Sequence, residues 1–477
     1  MNAPARLQHL NARDLSATNL CVHAASGPIV RNVDFSVGPG APLTLLGESG
    51  SGKSLVAQAV MGALPAELQA SGAIHLNGHD LLTTSPEDRR KLWGRGVSLL
   101  PQEPWLALDP TMKVGEQVSE VHRFVHRQSA GESEVRTRDN LANVGLDRSG
   151  ALYPFQLSGG MCQRAALAIA QASDCGLMIA DEPTKGLDAQ LRDDVVTRLK
   201  QEVAAGRLVF TITHDVGVAR ALGGTVGIML DGRLVDYGPA AEVLARPTHD
   251  YSRALLQADP ETWAGRAPDR VGDSVLTGHG LAKSFGDKTL FTGLDVEVGA
   301  GEIVCILGPS GCGKTSVGNI LLGLLHADAG KVERRDDISA LRYQKLYQDP
   351  PAAFAPHQVL RRGLQDLVRL HRLEWDKVEG LLARLKLPAG LLDRRPGQIS
   401  GGELQRLAIL RALLLEPAFL FADEATSRLD PLSQKEVIEL LLEIVEETGL
   451  AILLVTHDRA LAEKIASRTI MLQGGPA

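Results

Sequence analysis

The chain has 477 residues, enough for two to four domains, and its 44% hydrophobic and 22% charged composition is that of a globular protein. A net charge of −7 argues against a nucleic-acid partner on global electrostatics. The five cysteines (Cys21, Cys162, Cys175, Cys305 and Cys312) show no C-x-x-C pair and no metal-ligand spacing, which sets aside zinc and disulfides and fits a reduced compartment.

The opening stretch "MNAPARLQHLNARDL" lacks the apolar core of a signal peptide. No run of 18 apolar residues follows anywhere. The nearest candidate, from Leu407, is broken by Arg411, Glu416 and Pro417, and reads as a buried helix followed by a strand. No membrane span is therefore expected.

The first chemical signal is "GESGSGKS", from Gly47 through Glu48, Ser49, Gly50, Ser51 and Gly52 to Lys53 and Ser54. It follows a buried-strand pattern, "APLTLLG", and precedes an apolar run, "SLVAQAVMGAL", which predicts a helix. In that strand–loop–helix setting the glycines allow the backbone to wrap a phosphate chain with its N–H groups pointing inward. Lys53 is placed to reach the β- and γ-phosphates, and the Ser54 hydroxyl to ligate Mg²⁺.

Further along come Gln102 in "LLPQEP", Ser158, Gly159 and Gly160 in "LSGGMCQR", Asp181 and Glu182 in "GLMIADEP", and His214 in "TITHD". An apolar strand ending in Asp-Glu suits a water-mediated Mg²⁺ aspartate and a glutamate that polarises the attacking water. His214, at the end of a β-rich run, can donate to a γ-phosphate oxygen. Ser-Gly-Gly ahead of an amphipathic helix presents free amides and a helix dipole to an anion.

Everything then repeats. "GPSGCGKT" runs from Gly308 through Pro309, Ser310, Gly311, Cys312 and Gly313 to Lys314 and Thr315, with Lys314 placed 261 residues after Lys53. Gln348, Ser400 with Gly401 and Gly402, Asp423 with Glu424, and His457 follow in the same order at offsets of 246, 242, 242 and 243. A repeat this long is a duplicated domain, since solenoid periods are 20–50 residues. The offset falls by 15 after the phosphate loop, so the second half lacks the β-turn-β and helical turn predicted in "GAIHLNGHDLLTTSPEDRRKLWG". The expected organisation is a first domain over 1–263, a polar linker over 264–275 and a second domain over 276–477.

This ordered set, present twice, resembles the ATP-binding cassettes of ABC transporters across nearly the whole chain. The resemblance implies an α/β fold with two tandem P-loop NTPase domains. Each would have a RecA-like core, an antiparallel β portion and a helical subdomain carrying the Ser-Gly-Gly signature. It implies ATP and Mg²⁺ as cofactors, with Ser54, Gln102, Asp181, Thr315, Gln348 and Asp423 as metal-side residues. Glu182, Glu424, His214 and His457 would be catalytic. It further implies head-to-tail pairing of the two halves, the Lys53 site being closed by Ser400, Gly401 and Gly402 and the Lys314 site by Ser158, Gly159 and Gly160. Asp188 in "TKGLD" and Asp430 in "TSRLD" match the family's D-loop. Phe285 in "KSFG" matches its adenine-stacking aromatic; the first half has Ala24 at that place, and His23 is the available ring.

Within the family, "QEPWLALDP", "QDPPAAFAP" and the tail with Pro247, His249 and Tyr251 are similar to the oligopeptide/dipeptide/nickel importer ATPases. The resemblance implies ATP-driven import at the cytoplasmic face of the inner membrane, with two transmembrane permease subunits and a substrate-binding protein as partners. Peptides, nickel, a metal chelate and an opine-like compound all fit as solute. Tandem cassettes acting on the ribosome and tandem sugar-importer ATPases are the alternatives. The first usually carry a long charged linker and the second are often asymmetric in catalytic residues; neither feature is seen here.

Overall fold

A computed structural model describes residues 12–268, 271–286, 288–426 and 429–473. It contains two compact units, residues 1–256 and 257–477. Residues expected at the end of the first domain and in the linker pack on the second unit. Trp263 lies against its core, and the Arg266 guanidinium donates twice to Glu446, at 3.0 and 2.8 Å.

The first unit opens with an antiparallel sheet. Strands β1 (Leu15–Ala24), β2 (Gly27–Val37), β4 (Gln69–Leu76) and β5 (His79–Asp80) line up in the order β2-β1-β4-β5. A second sheet holds β3 (Leu43–Leu46), β6 (Val97–Leu100), β7 (Leu177–Asp181), β8 (Leu208–Thr213), β9 (Thr225–Leu230) and β10 (Arg233–Pro239). Its order is β10-β9-β3-β8-β7-β6, parallel except where β10 returns beside β9. All six residues of β8, "LVFTIT", are buried, as expected for a parallel strand covered on both faces.

One face of this sheet meets the antiparallel sheet and the Lys53–Met61 helix through Leu15, Val33, Phe35, Val56, Leu45 and Phe210. A separate helical core joins Val114, Val118, Leu141 and Leu146 to Cys162 and Ala165 of the Gly159–Ala172 helix. That is the helical subdomain carrying the signature.

The second unit repeats the plan with β11 (Ser274–Phe285), β12 (Lys288–Gly299) and β14 (Ala329–Arg334) antiparallel. Strands β13 (Ile303–Leu307), β15 (Tyr343–Leu346), β16 (Phe419–Asp423), β17 (Ala451–Val455) and β18 (Arg468–Met471) form an all-parallel sheet ordered β15-β16-β17-β13-β18. The missing fifteen residues correspond to β5 and the Pro86–Leu92 helix of the first unit. Among the described residues of the second unit there is no counterpart to β10 and the tail behind it. The segment around Leu407 is a helix, Gly401–Leu413, followed by β16, and among the described residues no helix is long and apolar enough to cross a membrane.

Candidate functional site

In each unit the chemistry gathers at the carboxyl ends of four neighbouring parallel strands, where an open α/β sheet leaves a crevice. In the first unit these are β3, β8, β7 and β6, which lead into the phosphate loop, His214, Asp181–Glu182 and Gln102. In the second, β13, β17, β16 and β15 lead into Gly308–Thr315, His457, Asp423–Glu424 and Gln348.

The phosphate loops need their glycines. Gly47 has φ 151° and Gly308 φ 154°, and a Cβ on either would fall 2.4 or 2.5 Å from the carbonyl oxygen of Met229 or Leu472. Gly52 and Gly313 cap the following helices at φ 101° and 102°, a left-handed conformation that opens the first-turn amides. The lysines fold back over their own loops. Lys53 Nζ donates to the carbonyls of Gly47 and Glu48, both at 2.7 Å; Lys314 Nζ donates to those of Gly308 and Pro309 at 2.8 and 2.9 Å. Burial holds Lys53 below the usual lysine range against the pull of Glu182 and Asp181.

A metal-side pair sits next to each loop. Ser54 Oγ donates to Asp181 Oδ1 at 3.3 Å and Thr315 Oγ1 to Asp423 Oδ1 at 2.9 Å. Both aspartates are pushed up by burial, which the hydroxyls only partly offset. A hydroxyl and a carboxylate oxygen converging at a phosphate loop form the hard-oxygen donor set that Mg²⁺ takes, so these residues fit the cation. Gln102 and Asp181 line one cleft with Gln58, Met61, Leu99 and Leu106.

The glutamates show what sequence alone did not. Glu182 and Glu424 both have φ 49°, a left-handed conformation rarely adopted by non-glycine residues, directly after β7 and β16. Each carboxylate meets its histidine: His214 Nδ1 lies 2.8 Å from Glu182 Oε2, and His457 Nε2 lies 2.7 Å from Glu424 Oε1. Burial alone would raise both acids, but the histidine contacts and the neighbouring lysines outweigh it and leave them below the usual glutamate range. Gln348 Nε2 also donates to Glu424 Oε2 at 2.7 Å.

The signature residues head their helices. Ser158 caps Gly159–Ala172 and accepts from the Met161 amide, and Ser400 caps Gly401–Leu413 in a reciprocal box with Glu403. Asp188 and Asp430 each cap the helix that follows. Ser427 and Arg428, just before Asp430, lie outside the described residues. Phe285 ends β11 at the turn paired with Lys288 and is 54% exposed, with Lys283 Nζ 5.3 Å from its ring centroid. Ala24 holds the same turn position opposite Gly27, and His23 Nε2 lies 3.1 Å from Ser71 Oγ.

Outside the motifs, the second unit brings a further lysine to Asp423. Lys345 Nζ donates to Asn319 Oδ1 at 2.8 Å and lies 3.6 Å from Asp423 Oδ2. The first unit has Leu99 at that place. Lys345→Leu should cost about 2 kcal/mol of stability without nucleotide, between the figures for exposed and fully buried pairs, because Asp423 loses its counter-charge. Mg²⁺-nucleotide should narrow that loss by supplying a cation in its place. Denaturation of parent and variant with and without Mg²⁺-ATP checks this, and an equal loss in both conditions would contradict it.

Duplicated phosphate loops, Asp-Glu strand ends and Ser-Gly-Gly helix starts on this fold define a tandem P-loop ATPase. The family model described as ABC transporter matches residues 30–185 and 291–427. The chain is 33% identical over 540 residues to the glutathione import ATP-binding protein GsiA of Salmonella choleraesuis (strain SC-B67), covering 98% of this chain and 86% of that protein. It is 31% identical over 504 residues to the peptidoglycan transport ATP-binding protein YejF of Agrobacterium fabrum (strain C58 / ATCC 33970), covering 98% and 91%. A solved structure of RNase-L inhibitor matches with a TM-score of 0.71 at 21% identity, over 96% of this chain and 88% of that one, a likeness of fold. The chain belongs to the ABC transporter family and carries two of its ATP-binding domains in tandem. It is an ATPase whose cofactors are ATP and Mg²⁺.

Proposed function

We propose that this chain powers uptake of a short peptide or peptide-like solute, bound peripherally to the inner membrane through two permease subunits and supplied by a substrate-binding protein. The observation that carries this reading is similarity along 98% of the chain to an import and a transport ATP-binding protein. The glutamine-loop segment adds support. Trp105 and Leu106, just beyond Gln102, are 52% and 73% exposed, an apolar surface of the kind that docks a membrane-protein partner.

In this reading Lys53, the loop amides, Gln102 and His214 hold one ATP, and Lys314, its loop, Gln348 and His457 hold the other. Ser54 with Asp181 and Thr315 with Asp423 would hold Mg²⁺, which when bound would supply positive charge beside the phosphates. Glu182 and Glu424 orient the attacking water and take its proton. Phe285 stacks on one adenine. The halves pair head to tail, so that Ser400–Gly402 closes the Lys53 site and Ser158–Gly160 the Lys314 site.

Affinity purification of the full chain from gently solubilised membranes tests the assignment. Two permease subunits should co-purify, and a panel of short peptides should shift the melting temperature of the associated binding protein. Co-purification of ribosomes in place of permeases would overturn it.

A further inference from the structure

The tail after β10 has no counterpart among the described residues of the second unit, yet it is built with care. Asp236 in β10 accepts the amides of Thr248 and His249, both at 3.1 Å, and the Thr248 hydroxyl. Arg253 clamps the same turn through the carbonyls of Pro247 and Thr248 at 3.2 and 2.7 Å. The Tyr251 amide donates to His249 Nδ1 at 3.1 Å. Leu255, fully buried, packs with Leu46, Val216 and Val243, so the tail helix Asp250–Gln257 is seated beside the end of β3. A helix docked only to close the domain would need no more than this.

One contact goes beyond closure. The Tyr251 hydroxyl accepts the backbone N–H of Glu48, the second residue of the phosphate loop, at 2.9 Å. The carbonyl of the same residue accepts from Lys53 Nζ at 2.7 Å. Glu48 is thus held from both sides, by the tail through its amide and by the phosphate-binding lysine through its carbonyl. In the second unit the corresponding residue is Pro309, which has no amide to satisfy and whose ring fixes φ. Tyrosine and proline solve the same local problem in two ways. Where the loop keeps an N–H, a hydroxyl is brought to it; where proline removes the N–H, nothing is required.

We propose that Tyr251 is a positioning residue for the first nucleotide site, and that the tail's role within this chain is to pre-set the Gly47–Ser54 loop for phosphate. Fixing Glu48 removes freedom the loop would otherwise lose on binding, so that the amides which follow and Lys53 already face the anion.

The test uses the full chain carrying Lys314→Ala, so that a fluorescent ATP analogue with Mg²⁺ reports the first loop. Tyr251→Phe keeps the ring and its packing and removes the hydroxyl, and should weaken binding roughly 3- to 10-fold, the range for one lost hydrogen bond. Glu48→Pro, added to Tyr251→Phe, removes the orphaned amide and should restore most of that loss. Amide exchange across residues 47–52 should quicken in Tyr251→Phe and stay unchanged in the rest of the first unit. Undiminished binding by Tyr251→Phe, failure of Glu48→Pro to rescue, or faster exchange throughout the unit would each overturn the proposal. If the parent signal survives Lys53→Ala, the nucleotide site itself is misassigned and the tail's role falls with it.

Discussion

Replacing both Glu182 and Glu424 with glutamine should lower ATP turnover by on the order of 10²–10⁴-fold, the usual contribution of a positioned general base, while nucleotide binding is retained. The geometry supplies the reason. Both side chains are launched from a φ of 49°, which turns the chain sharply at the end of a buried strand. Asparagine or glycine would adopt that conformation more readily, so a glutamate there points to a need for its carboxylate. Each acid is held below its usual range despite burial, and is therefore ionised and able to accept a proton at neutral pH. Glutamine keeps the length and the hydrogen bonds to His214 or His457, and cannot take the proton. Phosphate release and equilibrium binding of a fluorescent ATP analogue measure the two quantities separately. Parental turnover by the double variant would remove these residues from the chemical step.

How much of this was readable beforehand depended on whether the signal is local in the chain. The phosphate loops, strand-end acids and helix-capping serines are short patterns whose chemistry needs fixed spacing, so they are legible however far apart they lie; the structure puts the loops and acids at adjacent strand ends and the serines at the heads of their helices. The 15-residue shift in repeat offset likewise located β5 and its helix, because length is conserved bookkeeping along a chain. Three features were not readable. The left-handed backbone at Glu182 and Glu424 has no side-chain signature. Lys345 reaches Asp423 only because β15 and β16 run side by side, a neighbourhood set by sheet order. Tyr251 meets Glu48 across 203 residues, through a tail whose motif could be recognised but whose target could not. Residues 257–266 are read differently in chain and in fold, since polar, Pro- and Gly-containing sequence resembles a free linker until Trp263 and Arg266 find their partners.

Ser400→Arg should lower nucleotide retention on the Lys53 loop about tenfold and leave the Lys314 loop much less affected. Each unit already has a complete anion cradle in its own loop, with glycine-opened amides and a lysine beside them. The amides heading Gly401–Leu413 offer an anion a second terminus, and one unit has no use for two. Under head-to-tail pairing that terminus serves the other unit's phosphate, so its damage should appear at the distant lysine. Arginine also removes the cap that Ser400 forms with Glu403, which costs about 1 kcal/mol whatever the nucleotide does. Ser400→Ala is the control for that loss, because it removes the cap without placing a long side chain over the amides. The measurement is photolabelling of the full chain with an azido-ATP, followed by mass spectrometry of peptides from each half. Ser400→Arg should match Lys53→Ala in losing label from the first half, with Ser400→Ala intermediate. Loss confined to peptides of the second half would mean that each signature acts on the nucleotide of its own unit, and head-to-tail pairing would have to be abandoned.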